Sequence, residues 1–190
     1  MLGIVGTVPD PDLGLLHGPA RLDGGRVGVA GHEGDGEGGS AALLAAGLEL
    51  AVRLGKPEIH AYLVGDTGRG DGSRRLYDWL CRHLPDCTCS VLVFHYLQPD
   101  VDWHGRVLLA IENMTRPPVL IADAGFMYAA KMSGQAGRYD CFTPDLGELA
   151  FLADEQAPHP FYTRGFILHE SNRADDLIER AATLLADSDA

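Results

Sequence analysis

Two segments of the sequence place carboxylates directly after apolar runs. Asp123 follows the run PVLIA, and the segment 143–148 (TPDLGE) follows another. At a strand end, Asp123 either caps the next helix or holds a hydroxyl group or a metal ion. In the second segment we predict Thr143 as a helix N-cap and Pro144 as the first helical residue, with Glu148 as an acidic group near the helix start. Helix capping and ligand binding are both open for these carboxylates.

Two glycine-rich loops are candidates for anion binding. The first covers residues 31–40 (GHEGDGEGGS) and the second residues 65–73 (GDTGRGDGS). Glycines let backbone N–H groups approach an anion, and the N-terminus of a following helix favours negative charge. The alternative is that both loops are connectors capped by serine. The candidate ligand-binding residues are Gly34, Gly36, Gly39, Ser40, Asp66, Arg69, Gly70 and Ser73, with Arg69 facing a phosphate and with Asp66 and Asp71 as candidate Mg²⁺ ligands.

The elements that must position these residues alternate along the chain. Apolar runs predict strands at residues 26–30, 59–64, 90–95, 118–122, 139–142 and 166–169, and helices at 41–54, 74–84, 101–114, 125–132, 145–153 and 173–185. Strands that are nearly continuous in apolar residues, and that alternate with helices, indicate a mostly parallel sheet covered on both faces. We therefore predict a Rossmann-like α/β fold, a three-layer α/β/α sandwich, as a single domain over residues 1–190.

This topology gathers the candidate residues. Right-handed crossovers place the C-terminal ends of all parallel strands on one edge of the sheet, where such folds bind their ligands. Both glycine loops, Asp123 and Thr143 are predicted at that edge. Residues 1–25, rich in Gly, Pro and Asp, are predicted as an irregular N-terminal arm or a short strand over the domain surface.

Composition narrows the classes of partner. The formal net charge of -12 disfavours binding to nucleic acid or to an anionic membrane. The N-terminus has no basic region followed by an apolar run, so we expect a cytoplasmic protein with its four cysteines reduced. The histidines show no metal-ligand spacing, and most of them, His95 included, are predicted to be solvated or internally hydrogen-bonded.

The segments ADAGF at 122–126 and TPDLGE at 143–148 resemble the ribokinase-like superfamily, and within it the ADP- or ATP-dependent NAD(P)H-hydrate dehydratases. In that branch a glycine loop leads into an alanine-rich helix, here residues 40–54. One later strand ends in Asp-Ala-Asp-Ala and the next in Thr-Pro-His-Pro-Gly-Glu. The resemblance covers about residues 26–153. It implies a ribokinase-like fold, a nucleotide, sugar or vitamin-like ligand, ATP or ADP with Mg²⁺ as cofactor, and assembly into a homo-oligomer.

The chain departs from this family at three points. Ile121 replaces the first aspartate of the strand motif, and Asp145-Leu146 replaces His-Pro. The family's downstream Gly-Thr/Ser-Gly-Asp loop, whose aspartate is the catalytic base, has no counterpart after Glu148, so no catalytic residue is assigned. We expect either a truncated chain or a shortened homologue.

Two hypotheses about function follow from these departures. The first is a ribokinase-like protein that binds a small phosphorylated or hydroxylated ligand between Asp66, Asp123 and Glu148, with sugar or vitamin kinase or NAD(P)H-hydrate dehydratase activity if it is an enzyme. The alternative is a non-catalytic protein-interaction or regulatory module.

Overall fold

The computed structural model describes residues 1–56, 58–154 and 174–187. An eight-stranded sheet forms its centre, with helices on both faces. The strands are β1 (Leu2–Val8), β2 (Leu16–Asp23), β3 (Arg26–Val29), β4 (His32–Asp35), β5 (Ile59–Gly65), β6 (Val91–His95), β7 (Val119–Ala122) and β8 (Cys141–Phe142). The α-helices are α1 (Gly39–Arg53), α2 (Asp71–His83), α3 (Val101–Glu112), α4 (Ala124–Met132), α5 (Leu146–Leu152) and α6 (Ala174–Asp187).

The order of strands across the sheet is β4-β3-β2-β5-β1-β6-β7-β8. Strands β5, β1, β6, β7 and β8 are parallel to one another, whereas β2, β3 and β4 form an antiparallel meander along the outer side of β5. The predicted α/β class with a mostly parallel sheet is confirmed. Because the chain passes from β5 across β1 to β6, the loops that follow these three strands open at a topological switch point.

The side chains of each central strand alternate between two cores. Ile4 of β1 packs with Leu44 of α1 on one face of the sheet. Its neighbour Val5 packs on the other face, in the larger core that contains Phe94 and residues of α2, α3 and α4, among them Phe126. Successive strand residues point to opposite faces, so nearly continuous apolar strands require helices on both.

The predicted irregular arm at residues 1–25 is wrong. These residues contain two complete strands of the sheet, β1 at its centre and β2. Gly3 and Gly6 made β1 look like a loop, but both lie where a side chain does not fit. A Cβ atom at Gly3 would lie 2.7 Å from Leu92 Cδ2, and one at Gly6 would lie 2.2 Å from Ser40 Oγ. Glycine marks close packing in a strand here, and composition alone cannot distinguish that from a turn.

The first glycine loop, predicted over residues 31–40, is partly a strand. His32–Asp35 forms β4, in which Gly34 pairs with Val27, and the N–H of Gly36 donates to Gly25 O at 3.2 Å. Only the end of the predicted loop therefore remains as a connection into α1. The strand predicted at 166–169 lies outside the described residues.

The buried His104 on α3 should make the stability of the protein depend on pH. The residue is 0% exposed, and its Nε2 lies 2.9 Å from the Tyr139 hydroxyl. Burial lowers the pKa of His104 from 6.5 to about 4. The unfolded chain therefore binds a proton at a pH where the native state does not, so the His104 contribution is complete above about pH 6.5 and is lost as the pH falls towards 4.

We expect wild-type protein to lose about 3 kcal/mol of unfolding free energy through His104 between pH 7 and pH 4. Urea unfolding at several pH values measures this loss. The His104→Gln variant should be less stable at pH 7 but should lose less on acidification, because its side chain does not titrate. Equal losses in both proteins would contradict the assignment.

Candidate functional site

Four side chains form a continuous hydrogen-bonded chain at the C-terminal edge of the parallel strands. Ser40 Oγ lies 3.0 Å from His95 Nδ1, and His95 Nε2 lies 3.2 Å from Asp123 Oδ2. The Thr143 hydroxyl donates to Asp123 Oδ1 at 3.0 Å. We call Ser40, His95, Asp123 and Thr143 the edge network.

Strand order explains how residues so far apart in sequence meet. His95 ends β6, Asp123 follows β7 and Thr143 follows β8. These strands are adjacent and parallel, with Phe94 paired to Ala122 and Ala122 paired to Phe142, so the residues after them lie side by side. Ser40 reaches the same point from the first turn of α1, where the missing side chain of Gly6 leaves space for its hydroxyl.

The network holds His95 as a neutral imidazole. Burial lowers the pKa of His95, and the nearby Asp123 carboxylate opposes that effect without reversing it. A neutral ring that donates its Nε2 proton to Asp123 leaves Nδ1 to accept the Ser40 hydroxyl proton. The Asp123 carboxylate is fixed in orientation by His95 on one oxygen and by Thr143 on the other.

Serine, histidine and aspartate are also the groups of a catalytic triad, but this geometry does not provide a nucleophile. Ser40 is 0% exposed, so no substrate reaches its Oγ. The Asp123 side chain keeps 18% of its surface exposed, which leaves its oxygens accessible to a ligand hydroxyl. The arrangement is suited to orienting Asp123 and Thr143, not to covalent catalysis.

Backbone conformation at this edge is unusual. Tyr96 and Ala124, which follow His95 and Asp123 directly, have φ angles of 54° and 49°. Such left-handed conformations are uncommon for residues with a side chain and cluster at functional sites. The Thr7 hydroxyl at the end of β1 donates to Tyr96 O and helps to hold the turn after β6.

A cavity of about 410 Å³ opens beside the edge network, between the ends of β1, β5 and β6. This is the topological switch point, and the volume lies in the range of small-molecule sites. Its described lining residues are Thr7, Pro9, Gly38, Gly39, Asp66, Thr67, Gly68, Tyr96 and Gln98. The cavity joins the ends of the two glycine-rich segments, as the topology predicts, and its described lining does not include Asp123 or Glu148.

Asp66 organises the wall of this cavity. Its Oδ1 accepts the backbone N–H groups of Gly68, Arg69 and Gly70 at 3.0, 3.0 and 3.1 Å. Its Oδ2 accepts the backbone N–H of Ser73 at 2.8 Å and the Ser73 hydroxyl at 2.9 Å. Burial raises the pKa of Asp66, but the hydrogen bonds from Ser73, Gly70 and Gly68 outweigh it and lower the pKa overall.

The predicted magnesium ligands Asp66 and Asp71 therefore have other partners. Both oxygens of Asp66 bind the loop and the start of α2, and Asp71 forms an exposed ion pair with Arg74 at 2.5 Å. Within the described part of the chain, no group of three His, Cys, Asp or Glu side chains could hold a metal ion.

The helix in the TPDLGE segment begins two residues later than the predicted N-cap implies. The N-cap is Asp145, not Thr143: Asp145 accepts the N–H of Glu148, and the Glu148 carboxylate accepts the N–H of Asp145, each at 2.8 Å. This reciprocal capping box satisfies two backbone donors at once and fixes the helix start at Leu146. Thr143 is left free to hydrogen-bond Asp123. Burial raises the pKa of Glu148, with further raising effects from Asp145 and Asp123.

The other predicted ligand-binding residues divide into three groups. Gly39 lines the 410 Å³ cavity, whereas Gly34 lines a separate cavity of about 250 Å³ beneath the meander. Ser73 is buried against Asp66, and Gly70 is the N-cap of α2 with a φ angle of 81°. The Arg69 side chain is exposed on the loop.

Sequence analysis missed His95, the central member of the edge network. The sequence did contain an indication that His95 belongs to the site. His95 ends an apolar strand, and Asp123 directly follows the next one. The rule that gathers strand ends at one edge applies equally to both. Thr7, Tyr96 and Gln98 were also missed as cavity-lining residues.

The chain is 38% identical over 139 residues to uncharacterized protein MJ1337 of Methanocaldococcus jannaschii. The match covers 73% of this chain and 55% of that protein, so the chain corresponds to about half the length of this relative. No family model and no solved structure matches the chain. Among the helices of residues 1–56, 58–154 and 174–187, none combines the length and apolarity needed to cross a membrane.

Proposed function

We propose that this protein is ribokinase-like and binds a small phosphorylated or hydroxylated ligand of the nucleotide, sugar or vitamin class in the cavity at the switch point. The observation that carries the proposal is the opening of the 410 Å³ cavity onto the first residues of α1. The cavity is large enough for a small molecule, and its wall there is bare backbone from Gly38 and Gly39.

The start of α1 supports an anionic group on the ligand. The N-cap residue is Gly38, which has no side chain to satisfy the N–H groups of the first turn, and this turn contains no acidic residue. Helix N-termini carry unpaired donors and a partial positive charge, so they favour phosphate. Helix α1 has 15 residues, and its axis ends beside the cavity at Gly39.

The edge network supports a hydroxyl group on the ligand. Tyr96 lines the cavity, and the residue before it is His95, which orients Asp123. An ionised carboxylate whose direction is fixed by two neighbours is a good acceptor for a sugar hydroxyl. Asp123 and Thr143 would therefore contact the part of the ligand that extends from the cavity towards β7 and β8.

ATP or ADP fits this proposal as a ligand, but the described side chains do not form a site for Mg²⁺. Asp66 is fully hydrogen-bonded within its own loop, and no three-ligand group is present among the described residues. The proposal is therefore one of binding, and it includes no phosphoryl-transfer step.

Substitution at Gly39 tests the anion site. Gly39 has a φ angle of 50°, which Asp and Asn tolerate better than other residues, and a Cβ atom there would lie 3.7 Å from the Tyr96 ring, an ordinary contact. In Gly39→Asp the new carboxylate should repel a bound phosphate and lower affinity by about 30-fold, or about 2 kcal/mol. Gly39→Asn is the matched neutral control and should bind within a few-fold of wild type.

The measurement is a thermal-shift screen of nucleotides, sugar phosphates and phosphorylated vitamins, followed by calorimetry of any compound that binds wild type. Both variants place a side chain at a φ angle of 50°, so each should be less stable than wild type, and Gly39→Asp should be the more stable of the two because an acidic group suits a helix N-terminus. Equal affinity of the Asp and Asn variants would overturn the anion site. Absence of binding to wild type across the panel would instead favour the protein-interaction alternative.

A further inference from the structure

The side chains of Cys87, Cys89 and Tyr62 contact one another just before the start of β6. This cluster lies outside the edge network and the switch-point cavity. Cys87 Sγ lies 3.7 Å from Cys89 Sγ. The Tyr62 hydroxyl lies 2.9 Å from Cys87 Sγ and 3.6 Å from Cys89 Sγ. All four cysteines of the chain are free thiols in the structure.

The two sulfurs differ in accessibility. Cys87 is half-buried, so this residue is partly open to solvent. Cys89 is 2% exposed and packs against β1, where a Cβ atom at Gly3 would lie 2.9 Å from Cys89 Sγ. An accessible thiol beside a buried one is the arrangement of an attacking and a resolving cysteine.

The surroundings favour the thiolate at the accessible position. Hydrogen bonds from Cys89 and Tyr62 lower the pKa of Cys87 even though burial opposes them. The bond to Cys87 and burial raise the pKa of Cys89. For comparison, burial raises the pKa of Cys81.

We propose that Cys87 and Cys89 form a dithiol–disulfide exchange site for low-molecular-weight disulfides. The Cys87 thiolate attacks one sulfur of the small disulfide, forms a mixed disulfide and releases one thiolate. Cys89 then loses its proton and attacks Cys87 Sγ, which releases the second thiolate. The protein loses two electrons and two protons, and the small disulfide is reduced to two thiols.

Backbone geometry allows the intramolecular bond. Cys87 has φ -79° and ψ 143°, an extended conformation, and its sulfur lies on the same side of the chain as that of Cys89. The sulfurs must approach from 3.7 Å to the disulfide length of about 2 Å. We expect rotation of the Cys87 side chain to supply this movement.

The test incubates wild-type protein with defined ratios of oxidised to reduced glutathione, followed by alkylation and trypsin. Cleavage after Arg82 and Arg106 gives a peptide of residues 83–106, which contains Cys87 and Cys89 and no other cysteine. We expect this peptide to become two hydrogens lighter in wild type and in the control Cys141→Ser, whose substituted residue is exposed. Cys89→Ser should instead retain one glutathione on Cys87.

Two results would overturn the proposal. One is recovery of the wild-type peptide with two free thiols at every ratio, and the other is a stable glutathione adduct on wild-type Cys87. Neither result depends on whether a cysteine variant folds.

The Tyr62→Phe variant tests whether the Tyr62 hydroxyl lowers the pKa of Cys87, an effect that packing alone would not produce. Loss of the hydroxyl should raise the pH midpoint of Cys87 alkylation by iodoacetamide and slow its exchange at neutral pH. An unchanged midpoint would contradict the role of Tyr62.

Discussion

We expect Gly125→Ala to cost about 4 kcal/mol of unfolding free energy or to prevent folding. A Cβ atom at Gly125, in the first turn of α4, would lie 1.9 Å from the backbone oxygen of Leu97 and 3.0 Å from Pro99 Cδ. The obstacle is backbone, so a change of side-chain rotamer cannot relieve the clash. The segment that would have to move is also fixed, because the N–H of Gln98 donates to Ser73 Oγ at 3.1 Å.

Gly105→Ala is the matched control for this substitution. Gly105 lies in the middle of α3, and a Cβ atom there meets nothing within 4 Å. Alanine in an exposed helix interior should stabilise the protein by about 0.5–1 kcal/mol relative to glycine. Urea unfolding of both variants measures the contrast. A Gly125→Ala protein within about 1 kcal/mol of wild type would mean that the loop after β6 is less constrained than its contacts imply.

The alternation of strands and helices was predictable because several strands of the parallel part of the sheet are nearly continuous in apolar residues. Apolar runs placed β5, β6 and β7 within a residue or two of their bounds. The same logic failed at β1, where Gly3 and Gly6 lie against neighbouring side chains, and at β4, whose sequence HEGD is not an apolar run. The sequence does not show whether a glycine makes room for a neighbouring side chain, as Gly6 does for Ser40, or permits a turn. Only the packed structure distinguishes the two cases.

The position of the candidate site was predictable from the sequence, but only some of its residues were. The rule for parallel strands placed Asp66, Asp123 and Thr143 at one edge, and all three are there. It could not say which groups contact each other, because that depends on strand order. His95 and Asp123 are neighbours only because β6 pairs with β7.

A capped helix start was correctly predicted in the TPDLGE segment, but the capping residue is Asp145 and not Thr143. Thr143 and Asp145 are both good N-cap residues, and Pro144 favours the interpretation that starts at Thr143. The reciprocal bonds between Asp145 and Glu148 select the later start. The consequence is functional, because Thr143 then orients Asp123.

Asp66→Ala is the second substitution with a large expected effect. Asp66 is 9% exposed, and its carboxylate accepts five hydrogen bonds from the loop that lines the cavity and from the start of α2. Removing it leaves the N–H groups of Gly70 and Ser73 buried without an acceptor. Unpaired buried donors cost about 1–3 kcal/mol each, so we expect a loss of about 4 kcal/mol in urea unfolding. Asp71→Asn, which changes a neighbouring exposed carboxylate, should cost less than about 1 kcal/mol.

The acid dependence of stability separates this role of Asp66 from the metal-ligand interpretation. Because the pKa of Asp66 in the folded state is lowered from 3.8, its contribution is complete above about pH 4 and is lost as the pH falls further. Asp66→Asn keeps one oxygen acceptor but does not titrate, so the unfolding free energy of this variant should fall less than that of wild type below about pH 4. Added Mg²⁺ should leave the unfolding midpoint of wild type unchanged, since both Asp66 oxygens are occupied by backbone and Ser73 donors. A Mg²⁺-induced rise in the midpoint that disappears in Asp66→Asn would instead identify Asp66 as a metal ligand.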